Sequence, residues 1–348
     1  MQETLDVGGQ RCAPGTKQVV ALPVTTDLSG RKIKLYVHVV NGREPGPTLT
    51  LLSTLHGSEF WSIETVRRLV EGLDPSRLRG AVLAVPVGNP VALQMSTRAT
   101  PDESDAPDLN RVFPGYNTWI TEQLASVMTE AVLKKADYVI DFHIGPWGCC
   151  MGTVMYGTDF DEDVVEKSRD MAFAFGYPCI QTGKIASGFP GPRSSCGYAG
   201  KVLKIPNLII EIGGAGFDKA HEEAWYRINL DGLRNIMIHA GMLEGELDLP
   251  DRYLTWAKRW RVNPSVGGLL FPEIPPNDLM RQVRQGEVLG KVVSPYTFEV
   301  LEELAAPGDG VVFYTARDYP VRPGDWAWGV IDLNDAGTSW VDNPLQRK

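Results

Sequence analysis

Between Thr48 and Gly241 short apolar runs take turns with longer amphipathic stretches, and this alternation constrains the fold more than any other property of the chain. Thr48-Leu-Thr-Leu-Leu-Ser-Thr-Leu55 has the length and continuous apolar character of a buried strand. Residues 58–70 then carry Ile63, Val66, Leu69 and Val70 at helical spacing, with Gly72 as a stop. The unit recurs, with strands predicted over 80–87, 136–143 and 207–212 and helices over 118–135, 161–175 and 221–241. Such a pattern predicts an α/β fold, a mainly parallel mixed sheet with helices on both faces. Residues 17–40 precede it with β-like alternation. The stretch 88–116 has little regular pattern, and a loop that long inside a compact unit is usually functional.

After about residue 260 the character changes to short runs broken by Gly and Pro, such as Gly286-Glu-Val-Leu-Gly-Lys-Val-Val293. We therefore divide the 348 residues into a large α/β domain over 1–260 and a small all-β domain over 261–348. A net charge of −9 without basic runs argues against nucleic acid or an anionic membrane as partner. No apolar run is long enough to span a bilayer, and the first residues lack the pattern of a signal peptide. Five cysteines with neither a repeating pattern nor a C-x-x-C suit a reducing, cytoplasmic setting and no thiolate zinc site.

Four polar residues, His56, Asn89, His143 and Glu211, fall at or near the carboxyl ends of the predicted strands. In open α/β sheets that edge is where ligands bind, so residues far apart in sequence converge there. His56, Glu59 and His143 would supply a His₂Glu set, which leaves zinc a free position for water. Each histidine alone reads as readily as a strand-end residue bonded to backbone. Asp141, two residues before His143, faces the same side of the strand as an orienting acceptor or as a solvated carboxylate. Glu211 interrupts the apolar run Asn207-Leu-Ile-Ile. Burial would raise its pKa into the range useful for proton transfer, unless a structural ion pair holds it. In the irregular stretch, Arg98 and the Asn110-Arg111 pair offer a guanidinium fork for a carboxylate or a developing oxyanion. Surface arginines on a loop are the plainer reading.

His56-Gly-Ser-Glu59, Gly88-Asn-Pro90, Asp108-Leu-Asn-Arg111 with Phe113-Pro-Gly115, Asp141-Phe-His143 and Glu211-Ile-Gly-Gly214 occur in this order. Together they resemble the succinylglutamate desuccinylase/aspartoacylase family, a branch of the zinc carboxypeptidase-like fold, over about residues 14–335. The resemblance implies one zinc per chain held by His56, Glu59 and His143. It implies Glu211 as the general base on zinc-bound water, Arg98 at the scissile carbonyl, and Asn110 and Arg111 on a substrate carboxylate. Arg193, in the Gly/Pro-rich segment 187–196, is a positional candidate for a further carboxylate contact. The implied reaction is hydrolysis of a small N-acyl amino acid to a carboxylate and a free amine. The motifs equally suit a zinc carboxypeptidase acting on peptides, and they leave room for a non-catalytic metal-binding protein.

The C-terminal segment resembles that of a bacterial deacylase subgroup that includes N-acetyl-diaminobutyrate deacetylases. It is also similar to a biotinyl/lipoyl barrel-sandwich, but no lysine stands in Val293-Ser-Pro-Tyr-Thr-Phe298, so no attached biotin or lipoate is expected. A role in shaping the site or a homo-oligomer contact is expected instead. Trp61, Trp147, Cys149 and Tyr156 are the candidate pocket-wall residues.

Overall fold

The computed structural model describes residues 2–101, 104–275, 277–317 and 319–345. At its centre four strands run parallel. Glu44–Ser53 lies between Arg79–Val85 and Tyr138–His143, and Tyr138–His143 pairs in turn with Asn207–Gly214. On one flank Lys32–Asn41 and Thr16–Thr26 add an antiparallel hairpin to the sheet. On the other, Cys149–Gly157 runs antiparallel to Asn207–Gly214 and parallel to Cys179–Gly183.

Helices cover both faces because both faces of the central strands are apolar. Ser62–Gly72, Glu162–Phe175 and Lys219–His239 bury Val66, Met171, Phe175 and Leu233 with Leu49, Leu51, Ile140, Leu208 and Ile210. Ile120–Ala131 buries Leu124, Ala125 and Met128 on the other side with Leu52, Leu83, Val139 and the N-terminal hairpin. The mixed sheet and its two helical layers agree with the fold read from the sequence.

The strands Cys149–Gly157 and Cys179–Gly183 were not expected. Cys149-Cys-Met-Gly-Thr-Val-Met-Tyr-Gly157 has two glycines and no clean alternation, since both of its faces are covered. The predicted helix over 118–135 ends as an α-helix at Ala131, and Leu133–Lys135 forms a 3-10 turn after Val132 leaves helical geometry. Within 88–116 the chain forms a short helix, Pro90–Met95, and a 3-10 turn, Leu109–Arg111.

The C-terminal strands form a core of their own around buried Trp256, Phe313 and Trp328, with Trp260 and Trp326 packed at its margin. One four-stranded sheet there runs Val300–Ala305, Val288–Val293, Gly268–Pro272, Tyr319–Val321. The remaining strands extend the main sheet, because Gly310–Ala316 pairs with Cys149–Gly157 and places Tyr314 opposite Met151. No helix among the described residues is long and apolar enough to cross a membrane. None of the five cysteines is in a disulfide, and all five are buried.

Candidate active site

The strand Glu44–Ser53 ends in a sharp bend at Thr54, whose φ of 54° is unusual for a β-branched residue. Its side chain reaches Ser53, which in turn meets Ser62 of the following helix at 2.7 Å. The bend leads into a turn in which the Glu59 N–H donates to the His56 carbonyl at 3.1 Å. Gly57 is required in that turn, since a Cβ there would lie 2.0 Å from the Ala92 backbone. Asn89 does not reach the ring nitrogens. It caps Pro90–Met95 by accepting from the Ala92 N–H and donates to Thr100 Oγ1, so it fixes the helix against which Gly57 packs.

His143 ends its own strand, and the parallel register sets it beside Glu211. His56, Glu59 and His143 are all buried, and their ligand atoms lie within 4.8 Å of one another. The two Nδ1 atoms are 3.1 Å apart, while Glu59 Oε1 is 2.9 Å from His56 and Oε2 is 2.8 Å from His143. Ligand atoms about 2.0–2.1 Å from a tetrahedral zinc stand roughly 3.3 Å apart, so this donor set fits the ion with small adjustments.

Both imidazoles are fixed from behind. His56 Nε2 is 3.1 Å from Asp108 Oδ1, and His143 Nε2 is 3.1 Å from Asp141 Oδ2. A carboxylate on the outer nitrogen selects the tautomer that leaves Nδ1 for a metal. Asp141 is itself held by the Ser195 hydroxyl, and the Ser195 N–H donates to Asn110 Oδ1 at 2.8 Å. The sequence offered Asp141 this role or that of a solvated carboxylate, but it gave no signal for Ser195 and left Asp108 without a task.

The charges are strongly coupled. Burial opposes ionisation of Glu59, yet the two imidazoles override it and hold the carboxyl far below its ordinary range. For His56 burial acts downward, and Glu59 with Asp108 turn the net shift upward. His143 is raised further against its own burial, by Asp141 and Glu59. Glu211 behaves oppositely. Burial, reinforced by Glu59, pushes it up to about 7 although His143 acts against the rise. Among the described residues nothing hydrogen-bonds its carboxylate.

Arg98 reaches this cluster from the irregular loop, with Nη1 3.2 Å from Glu59 and Nη2 3.4 Å from Asp108. The Arg111 guanidinium lies 4.8 Å over the Phe189 ring and donates to the Asn110 carbonyl. Asn110 is used internally. Its Nδ2 is 3.2 Å from His143 Nε2 and its Oδ1 accepts from the Ser195 N–H. Arg193 is not drawn into the cluster: it donates to the Val112 and Phe113 carbonyls and pairs with Glu122. Of the expected wall residues, Trp61 and Trp147 lie together with ring centroids 5.8 Å apart. Tyr156 and Cys149 belong to the cores behind the sheet.

The pattern of the succinylglutamate desuccinylase/aspartoacylase catalytic domain matches residues 45–227, more than half of the chain. The chain belongs to that family. A curated relative, the N-alpha-acetyl-L-2,4-diaminobutyric acid deacetylase of Halomonas elongata, is 29% identical over 315 residues, 87% of either protein. The product-bound ectoine utilization protein EutE (DoeB) of Ruegeria pomeroyi superposes with a TM-score of 0.77 at 25% identity, covering 91% of this chain and 94% of its own. A succinylglutamate desuccinylase from Silicibacter shares the fold at a TM-score of 0.77 and 24% identity, over 92% and 97% of the two chains. A metallo-carboxypeptidase of Burkholderia cenocepacia shares the common framework over 66% of each chain, at a TM-score of 0.50 and 17% identity. Membership in this desuccinylase/aspartoacylase family makes the protein an enzyme of the deacylase class.

Proposed function

We propose that the protein is a zinc-dependent deacylase that hydrolyses the amide bond of a small N-acyl amino acid. The observation that carries this reading is the register of Glu211 beside His143, which puts an unpaired carboxylate of raised pKa next to three converging metal donors. In the proposal His56, Glu59 and His143 hold the zinc, with Asp108 and Asp141 orienting the rings. When bound, zinc supplies a Lewis acid for the scissile carbonyl and lowers the pKa of water near neutral pH. Glu211 takes the proton of the attacking water and returns it to the leaving amine as the C–N bond breaks.

Arg98 exchanges its contact with Glu59 for the carbonyl oxygen as charge develops there. Arg111, its plane steadied by Phe189, offers the fork that grips a substrate carboxylate, while Asn110 and Arg193 fix the loop around it. We take the paired Trp61 and Trp147 as pocket walls that favour a small substrate. We take residues 261–348 as the small β-domain that closes one side of this pocket, and the cytoplasm as the compartment.

The test is metal removal. Dialysis against a chelator should abolish amine release from a panel of N-acyl amino acids that includes N-alpha-acetyl-L-2,4-diaminobutyric acid, and added zinc should restore it. Full turnover by the metal-free protein would end the proposal.

A further inference from the structure

Two arginines of the C-terminal segment, half-buried Arg259 and exposed Arg261, form no ion pair among the described residues. Arg259 lies on the strand Arg259–Val262, with its guanidinium 5.4 Å from the ring centroid of Trp326, 5.8 Å from Phe313 and 6.0 Å from Trp256. Its Nε is buried, and among the described residues it has no hydrogen-bond partner. Arg261, two residues on and therefore on the same face of the strand, lies 4.2 Å over the same Trp326 ring. No described carboxylate pairs with either one. Two like charges gathered on one indole repel each other, and aromatic faces offset that repulsion only in part. Burial and the neighbouring Arg261 charge together lower the pKa of Arg259. An incoming anion would relieve both penalties.

Contacts connect this pair to the reaction centre. Glu211 stands opposite Thr153 in the antiparallel register. Thr153 Oγ1 donates to the Cys179 carbonyl at 3.3 Å, and Trp256 Nε1 donates to Cys179 Sγ at 3.3 Å. Trp256 is one of the three rings around Arg259. The path leaves Glu211 on the side away from the His143 strand, and the charge of Glu211 is felt at Arg259.

We propose that Arg259 and Arg261 form a carboxylate-binding subsite, lent to the pocket by the C-terminal β segment, which anchors the amino-acid end of the substrate across Glu211 from the metal. A guanidinium presents two parallel N–H donors, the geometry that a carboxylate accepts. The subsite rests on the deacylase reading for its substrate, but its anion chemistry stands apart from catalysis.

Two measurements test it. With zinc-loaded protein, kcat and KM are compared for N-alpha-acetyl-L-2,4-diaminobutyric acid and for its C-terminal carboxamide. Arg259→Met should raise KM for the acid by about tenfold to a hundredfold, the range for a lost charged hydrogen bond, and collapse the preference for acid over amide. An unchanged preference would leave carboxylate recognition to Arg111 alone and overturn the proposal. In metal-free protein, N-acetylglycine should change the tryptophan fluorescence saturably, N-acetylglycinamide should not, and R259M should remove the response. A response retained in R259M, or one equal for both compounds, would also overturn it. If wild type cleaves no acyl amino acid, the deacylase reading fails and the fluorescence titration alone decides the subsite. If R259M does not fold, Arg259→Lys replaces it. Loss of the fork with the charge kept should weaken the acid preference, and an intact preference would reject the proposal.

Discussion

At the carboxyl ends of the central strands, His56, Glu59 and His143 are buried with their ligand atoms within 4.8 Å, and Asp108 and Asp141 stand behind them. At the amino ends of the same strands, Arg79 reaches Glu44 at 3.2 Å and Glu244 at 3.5 Å with its side chain about half exposed. Both ends use charged pairs of similar length, yet only one set is removed from water. Coulomb interactions at the exposed end are screened by solvent and salt, so each pair is worth little. Those at the buried end act in a low dielectric, shift one another's protonation, and leave donors pointed at a shared centre. What separates a site from a surface here is therefore burial together with convergence rather than the residue types.

The sharpest way to break the buried arrangement is to remove one donor. His143→Ala should lower zinc affinity by about a hundredfold or more, since three ligands become two and Asp141 loses the ring it orients. Metal analysis after equilibrium dialysis measures this directly, and amine release should disappear in parallel. Retention of one tight zinc per chain would show that the three residues do not act together.

Glu211→Gln sharpens the comparison by separating metal binding from proton transfer. The variant should keep zinc and lose about 10²–10⁴-fold in kcat, the usual share of a general base. It also carries a stability signature. The folded protein raises Glu211 from an ordinary 4.5 to about 7, so it favours the protonated form. That contribution is fully present below pH 4.5 and is lost as pH rises through 7, because the unfolded chain binds fewer protons in the interval. Metal-free E211Q should therefore be more stable than metal-free wild type at pH 8, by on the order of 2–3 kcal/mol, and should show little difference at pH 4. A bound dication favours ionised Glu211, so zinc should narrow the gap. Denaturant unfolding at the two pH values reads the effect.

The comparison also explains what the sequence revealed. The strands that lead to His56 and His143 were legible because long apolar runs fix where a parallel strand stops, and a polar residue at or just past that point reaches the ligand edge. Glu211 was legible for the same reason, as a carboxylate inside an apolar run. The antiparallel strand Cys149–Gly157 was not, since a run covered on both faces and carrying glycines has no period to read. Roles within the irregular loops stayed hidden, because they depend on which group the folded chain brings near. Asp108 orients His56, Ser195 holds Asp141, and Asn110 spends both ends of its amide on these neighbours. Arg193 likewise serves the loop carbonyls of Val112 and Phe113. For Asn110 and Arg193 the residue type fitted a substrate contact, and the folded chain gives each of them local hydrogen bonds as well.

The smallest effect is expected at the exposed end. Arg79→Ala removes the pairs to Glu44 and Glu244, while the Arg79 N–H continues to donate to the Met242 carbonyl through the backbone. Long, solvated side chains give up conformational freedom to form such pairs, and that cost nearly offsets their screened attraction. In denaturant unfolding the variant should lose no more than about 0.5 kcal/mol of unfolding free energy, and added salt should shrink even that. Zinc content and turnover should match wild type, because the pair lies at the end of the sheet remote from His56 and His143. A loss of stability of several kcal/mol would mean that the amino-terminal charges are coupled as tightly as the buried ones, and that convergence rather than exposure sets their strength.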